Sequence, residues 1–212
     1  MTGGQSFIFT DGDLMAIIVD KVQKRRDIAL TCKDLVVKNG IQHLTISQIT
    51  AEAGIGKGTF YEYFQNKEDI VFEIVNILLM EHNAILDKKL LKAASIKEKM
   101  KLFFDFFYNE EEAEIRELYK ELISISLSEP IPEILEFQTK CHLTYQQWFT
   151  NILNEGIAKG EIVESARILA NGLMTFGGGM FISCCVTNAI DDLEYEINSY
   201  IDTIFELIEV KQ

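Results

Sequence analysis

Residues 44–70, with the sequence LTISQITAEAGIGKGTFYEYFQNKEDI, decide the fold that we predict. Thr45 followed three residues later by Gln48 forms a capping box, which predicts a short helix over 46–53, and Gly54 ends that helix. Residues 57–64 predict one more helix of about two turns. Two short helices separated by a glycine turn are typical of a helix-turn-helix motif.

Further helices are predicted on both sides of this motif. Apolar residues recur at three- and four-residue spacing over 20–39, and Gly40 provides a stop for that first helix. Asn66 can cap a fourth helix, which begins at Lys67 and continues to about residue 91. We therefore predict an N-terminal arm over 1–19 and a three-helix DNA-binding head over 20–67.

The remainder of the chain, 68–212, is predicted to be a larger helical domain. Only two prolines occur, both near residue 130, so long stretches contain no helix breaker. Ser95 with Glu98 forms another capping box, and Gly160 provides another stop. Helices are also predicted over 111–128, over 134–159 and from Ser165 onward. The predicted fold class is all-α.

The charge distribution indicates which part of the chain approaches nucleic acid. A net charge of −13 by itself argues against binding to phosphate. Residues 20–67, however, contain eight basic and five acidic residues, whereas residues 68–212 contain 12 basic and 26 acidic ones. The basic segment coincides with the predicted helix-turn-helix.

The quoted stretch resembles the DNA-binding signature of the TetR family of transcriptional regulators. The resemblance lies in Gly54, in the run from Lys57 to Tyr61, in Tyr63 with Phe64, and in the run from Asn66 to Glu68. With the first helix it covers roughly a quarter of the chain. It implies a homodimer that acts as a repressor and is released from a palindromic operator by a small-molecule effector. Thr50 and Gly56 depart from the usual Ala and Ser of the family.

A recognition helix this short is expected to insert its first turn into the major groove. Lys57, Thr59 and Tyr61 are the first candidates for base contacts, and Gly58 would let the DNA come close. The resemblance implies phosphate contacts for Tyr63 and Lys67. Thr45 either caps its helix alone or also contacts phosphate, and Lys57 can contact a base or the backbone. Phe60 and Phe64 are predicted to be structural.

The effector site is inferred from family analogy and from a surplus of aromatic residues. The predicted wall residues are Phe103, Phe107, Tyr119, His142, Tyr145, Trp148, Phe176 and Met180. Each of them can alternatively be ordinary core. His142, Tyr145 and Trp148 offer a polar atom beside an apolar body, which suits a pocket wall. We expect an apolar or aromatic effector, with a cation as a further option because the domain is acidic.

Residues 168–190 contain no charged side chain, which by length alone qualifies as a membrane span. Its asparagines and glycines, and the lack of a nearby basic residue on its C-terminal side, favour a buried helix and no membrane contact. In the family the last two helices form the dimer interface, which here would be 168–190 and 192–210. The alternative is a helical membrane-associated or signalling protein with an incidental helix-turn-helix.

No enzymatic activity, metal or cofactor is predicted. The three histidines are scattered, and Cys141 beside His142 and Cys184 beside Cys185 are adjacent rather than spaced for one helical face. No phosphate-binding loop or nucleophile motif occurs in the sequence. Four cysteines without a signal peptide indicate a reducing, cytoplasmic location.

Overall fold

The computed structural model describes residues 11–128 and 131–211, and the side chains from Asp20 onward. The described residues form helices and one isolated β-bridge, between Ile162 and Glu209, which confirms the all-α class. The helices are α1 Asp11–Thr31, α2 Lys33–Asn39, α3 Ile46–Glu52, α4 Lys57–Tyr63, α5 Glu68–Lys92, α6 Ile96–Phe104, α7 Ala113–Ser128, α8 Pro132–Ala158, α9 Leu169–Val186 and α10 Leu193–Ile208.

The chain divides into an N-terminal unit, up to Leu78, and a C-terminal unit, from Leu79. Residues 1–10 of the predicted arm lie outside the described residues, and residues 11–19 belong to α1. The predicted single helix over 20–39 is wrong at Cys32, which separates α1 from α2. The Cys32 amide donates to the carbonyls of both Ile28 and Ala29, and such sharing tightens the backbone at a helix end.

In the N-terminal unit, α3 and α4 are the predicted helix-turn-helix. The turn between them depends on Gly54, whose φ of 64° is the left-handed conformation that side chains disfavour. The buried side chains of the unit come from every helix and include Ile28, Val36, Ile49, Phe60, Phe64 and Ile74. The predicted cap of α5 is confirmed, since the Asn66 side-chain oxygen accepts the amide of Asp69 at 2.9 Å.

In the C-terminal unit, α6 packs against α8 and α10, and α9 packs against α8 and α10. The core is strongly aromatic: Phe103, Phe104 and Phe149 are buried, with ring centroids 5.1 to 5.7 Å apart. Pro132 occupies the first turn of α8, where its missing N–H costs nothing. Ser95 caps α6 by accepting the amide of Glu98, but the Glu98 carboxylate accepts the amide of Ala94 rather than that of Ser95.

The apolar segment around α9 was predicted to be a buried helix. Within a single chain most of it is exposed. The helical segment Glu164–Val186 is long and apolar enough to cross a membrane, and 22% of its most apolar window is buried. One face, with Ala170, Leu173, Gly177 and Phe181, packs inside the unit. The opposite face, which includes Gly172 and Gly179, is exposed.

Candidate DNA-binding surface and effector site

The helix-turn-helix begins at the predicted capping box. The Thr45 hydroxyl accepts the amide of Gln48 at 3.3 Å, and the Gln48 side-chain oxygen accepts the amide of Thr45 at 2.9 Å. These reciprocal bonds satisfy amides that the first turn of α3 leaves free. Thr45 is exposed, so its position is compatible with the further phosphate contact that the sequence suggested.

Helix α4 has a buried side and an exposed side. Phe60 and Phe64 are buried with ring centroids 5.4 Å apart, which confirms that they are structural. Lys57, Gly58 and Tyr61 are exposed. Their shared side makes α4 suitable for presenting side chains to an external surface.

The remaining positions of α4 differ in their surroundings. Thr59 is half-buried, and an added Cβ at Gly58 would meet no atom within 4 Å. Within the chain Gly58 is therefore not required by packing, which leaves close approach of DNA as its predicted role. Among the described residues the ammonium of Lys57 has no partner, whereas Tyr61 contacts the edge of Phe60.

Arg25 holds the C-terminal end of α4. Its guanidinium donates to the Tyr63 carbonyl, pairs with Glu73 at 2.7 Å and lies 4.5 Å from the centre of the Phe64 ring. Cations stabilise helix C-termini because the last carbonyls there are unpaired. The Tyr63 side chain is half-buried, with the Lys21 ammonium 5.9 Å from its ring centre.

Lys67 also makes contacts inside the N-terminal unit. Its ammonium donates to the carbonyl oxygens of Ile41, Gln42 and Leu44 at 2.9, 3.0 and 3.1 Å. These carbonyls belong to the 3-10 helix Ile41–His43 and to the residue before Thr45. The structure thus places the Lys67 ammonium, for which the resemblance implies a phosphate contact, against these carbonyls.

The predicted effector residues occupy three places in the C-terminal unit. Phe103 and Tyr145, and Tyr145 and Trp148, have ring centroids 6.1 Å apart. Phe107 and Tyr119 both contact Phe181, at 5.6 and 5.9 Å. Phe176 stacks on Tyr200, and Met180 packs at the edge of the core. His142 is exposed and is not part of these ring contacts.

Two polar contacts lie among these rings, and both involve α5. The Tyr145 hydroxyl donates to the side-chain oxygen of Asn83 at 2.6 Å, and burial raises the pKa of Tyr145. His82, which is buried, has its Nδ1 2.8 Å from the Glu112 carboxylate, although without the angles of a hydrogen bond. The His82 ring also contacts Phe106 edge-on. No local pattern in the sequence indicates either pair, since the partners lie on different helices.

A surface depression of about 660 Å³ runs along α8. Its walls are Glu136, Thr139, Lys140, Leu143, Thr144, Gln147 and Trp148. All of these lie on one helix, so the depression is an open face rather than an enclosed pocket. Trp148 belongs both to this face and to an aromatic cluster that it forms with Tyr145 and Phe103.

Comparisons with known proteins agree with these features. The profile described as "Bacterial regulatory proteins, tetR family" matches residues 33–74, which include the helix-turn-helix. The "Fatty acid metabolism regulator protein" of Bacillus subtilis is 26% identical over 180 residues, 82% of this chain and 88% of that protein. The regulator QacR of Staphylococcus aureus is 27% identical over 158 residues, 68% of this chain and 80% of that protein.

Solved structures share the fold over nearly the whole chain. A TetR-family regulator from Cytophaga hutchinsonii has a TM-score of 0.73 at 16% identity, covering 91% of this chain and 98% of that one. A regulator from Saccharomonospora viridis, solved in complex with choline, also has a TM-score of 0.73, at 17% identity, covering 90% of this chain and all of that one. These findings show that residues 33–74 match the tetR-family profile and that the chain shares the fold of solved TetR-family regulators.

Proposed function

We propose that this regulator is a repressor that binds an inverted-repeat operator as a homodimer and leaves it when a small molecule enters the C-terminal unit. The observation that carries the proposal is the exposed side of α4. Lys57 and Tyr61 project from a helix whose other side is fixed by buried Phe60 and Phe64. A two-fold dimer presents two such helices with the symmetry of a palindrome.

The proposed dimer contact is the exposed side of α9 and α10. Val186 on α9 and Leu207 on α10, together with Ile168 directly before α9, are more than 70% exposed, although both helices are largely apolar. Exposed apolar surface of this extent favours contact with a second copy of the chain. On the same exposed side, Cβ atoms added at Gly172 and Gly179 would meet no atom within 4 Å. Close approach of a partner helix suits those glycines.

The dimer is tested by sedimentation of the wild-type protein and of Leu207→Glu. We expect a dimer for the wild type and a monomer for the variant, because a carboxylate in an apolar contact loses its hydration. Leu91→Glu is the matched control, since Leu91 is 77% exposed on α5. A wild-type protein that sediments as a monomer at micromolar concentration, or that requires detergent, contradicts the proposal.

The proposed effector is a small apolar or aromatic molecule bound near the aromatic cluster. The cluster supplies rings from α6 and α8, and Trp148 links it to the open face of α8. The names of the similar proteins support a small molecule with an apolar or cationic part, since one regulates fatty acid metabolism and another holds choline. An effector that prefers the conformation unable to bind DNA must weaken operator binding by the same coupling energy.

Selection of bound fragments from the source genome tests the DNA-binding part. We expect an inverted repeat, and we expect Lys57→Ala to lose preference at one base pair in each half-site, at a cost of about 1 to 3 kcal/mol if Lys57 binds guanine. Lys38→Ala removes the same charge from an exposed position on α2 and is the control. A Lys57→Ala protein that selects the unchanged motif assigns Lys57 to the backbone, and the absence of any selected motif overturns operator binding.

A further inference from the structure

We infer that the Glu112 carboxylate and the aromatic rings around it bind the positively charged nitrogen of the effector, and that the effector is an organic amine with an apolar or aromatic body. The inference deepens the proposed function and rests on it, since it names the class of molecule that the C-terminal unit binds. Its basis is the buried pair of Glu112 with His82 and the rings that surround this pair.

The Glu112 carboxylate is enclosed but poorly paired. Its side chain is 12% exposed, and the His82 side chain beside it is 5% exposed. The His82 Nδ1 atom lies 2.8 Å from a carboxylate oxygen but makes no hydrogen bond. No other group among the described residues donates to this carboxylate. Because a buried carboxylate without an aligned donor is costly, an N–H group supplied by a ligand would stabilise it.

The charge of Glu112 is also uncompensated by lysine or arginine. Arg116, four residues later in the chain, donates to the backbone carbonyls of Phe106 and Asn109 instead. In the part of the chain that the structure describes, no lysine or arginine pairs with the Glu112 carboxylate. His82 compensates the carboxylate only when its imidazole is protonated. A ligand cation would therefore meet an available counter-charge at this position.

The surroundings of the pair are aromatic. The Phe106 ring contacts the His82 ring edge-on at a centroid distance of 5.3 Å, and the Tyr119 ring lies 6.1 Å from that of Phe106. The charge of Glu112 also reaches Tyr145, whose pKa is raised chiefly by burial and to a smaller extent by that charge. Aromatic faces attract cations, and the attraction is stronger where water is excluded. A carboxylate among such rings selects a cation with an apolar body.

The ligand nitrogen would take the position that the imidazole occupies. His82 lies on α5, whereas Glu112 ends the 3-10 helix Glu110–Glu112. Since the His82 Nδ1 atom makes no hydrogen bond, rotation about the side-chain bonds can move the imidazole away from the carboxylate. Asn83, the next residue of α5, accepts the Tyr145 hydroxyl through its side-chain oxygen at 2.6 Å. That oxygen has a second lone pair, which offers an ammonium a further acceptor on α5.

The first test measures the binding of three probes to the full chain by isothermal titration calorimetry at neutral pH. Phenethylamine, phenethyl alcohol and hydrocinnamate share a phenylethyl body, and they are cationic, neutral and anionic at this pH. We expect the wild type to bind the amine at least about tenfold more tightly than the other two probes. Glu112→Gln keeps the shape of the side chain and removes its charge, so it should bind the amine about tenfold more weakly.

Glu111→Gln is the matched control, because Glu111 is an exposed carboxylate on the same 3-10 helix. It should leave the affinity for all three probes unchanged. Three results would overturn the inference: no measurable binding of the amine, equal or tighter binding of the alcohol or the acid, or equal amine affinity in the wild type and Glu112→Gln. None of these measurements requires DNA.

The second test distinguishes a ligand-binding carboxylate from a structural ion pair with His82. Breaking a buried ion pair that stabilises the fold is strongly destabilising. We expect the melting temperature of Glu112→Gln to equal or exceed that of the wild type, because the substitution removes a poorly paired buried charge. A marked fall in melting temperature overturns the inference.

Failure of this inference can be distinguished from failure of the proposed function. Amine binding that requires Glu112 supports the inference even if no operator is found. Release of a selected operator fragment by phenethyl alcohol or hydrocinnamate, but not by phenethylamine, supports the proposed function and overturns the inference.

Discussion

The N-terminal and C-terminal units use different interactions to hold their functional side chains. In the N-terminal unit, Arg25 and Lys67 bind backbone carbonyls at the end of α4 and before α3. In the C-terminal unit, aromatic rings from α6 and α8 pack edge to face around buried Phe104 and Phe149. Directional bonds in the first unit fix backbone segments and leave the exposed side of α4 free. In the second, ring packing predominates and the Tyr145–Asn83 hydrogen bond is a polar contact among the rings, which suits a region proposed to accept a largely apolar molecule.

The largest effect is expected from Phe104→Ala. Its ring is buried and contacts Phe103, Phe107 and Phe149, so its loss should lower the free energy of unfolding by about 3 to 5 kcal/mol. Fluorescence of Trp148, the single tryptophan, reports urea unfolding of the C-terminal unit. Tyr61→Ala, on the exposed side of α4, is the control and should change stability by less than about 0.5 kcal/mol. A small effect of Phe104→Ala would mean that ring packing does not dominate this unit.

A second effect concerns pH and is confined to the N-terminal unit. Burial raises the pKa of the Cys32 thiol from 9.0 to about 11. Above pH 9 the unfolded chain loses this proton while the folded chain retains it, so stability should fall as pH rises from about 9 to about 11, by roughly 1 kcal/mol per pH unit.

Urea unfolding followed by circular dichroism across this pH range measures that loss. Trp148 lies in the C-terminal unit, whereas circular dichroism also reports the helices of the N-terminal unit, where Cys32 lies. The wild type should lose more stability than Cys32→Ala, and the difference between them is the contribution of the thiol. Equal pH dependence in the two proteins would contradict the expectation.

A somewhat smaller effect is expected for Gly177→Ala in α9. An added Cβ would lie 2.6 Å from the buried ring of Phe104, so overpacking should cost about 1 to 3 kcal/mol. Gly178→Ala is the matched control, since a Cβ there meets nothing within 4 Å and the gain in helix propensity is at most about 1 kcal/mol. Urea unfolding followed by Trp148 fluorescence should therefore shift in opposite directions for these neighbours, and equal shifts would contradict tight packing at Gly177.

The smallest of these effects is expected for Thr45→Ala. Loss of the cap of α3 should lower stability by about 1 kcal/mol, because the Gln48 amide loses its acceptor. Ser47→Ala, at an exposed position of the same helix, is the control. Thermal unfolding followed by circular dichroism measures both, and equal melting temperatures for the two variants would show that the cap does not contribute.

The sequence predicted the contacts that are short along the chain and missed those that are long. The capping box joins residues three apart, so its residue types alone identify it. Lys67 and Ile41 are 26 residues apart, and Arg25 and Tyr63 are 38 apart. Such pairs depend on how helices pack, and a basic residue in the sequence looks the same whether it faces DNA or a carbonyl. The charge pattern therefore indicated the right segment but could not assign its cations.

The aromatic residues of the C-terminal unit illustrate the same limit. Their number indicated a ring-rich core, and Phe103, Tyr145 and Trp148 do lie together. His142 is only seven residues before buried Phe149, a spacing that places both on nearly one helical face. His142 is nevertheless exposed, as are four of its five neighbours over 139–144. Helical periodicity gives the face of a side chain but not where along the helix the neighbouring elements end.

The shortness of α4 has a consequence for the thermodynamics of recognition. A seven-residue helix is far below the length at which helices persist alone, roughly 12 to 15 residues, and Gly56 adds no side-chain cap. Its helical state therefore depends on Phe60 and Phe64 remaining in the core. Whenever those rings detach, Lys57 and Tyr61 lose their arrangement as well. The heat capacity change of operator binding should consequently include part of the heat capacity change of folding. A plot of the logarithm of operator affinity against inverse temperature should therefore be curved rather than straight.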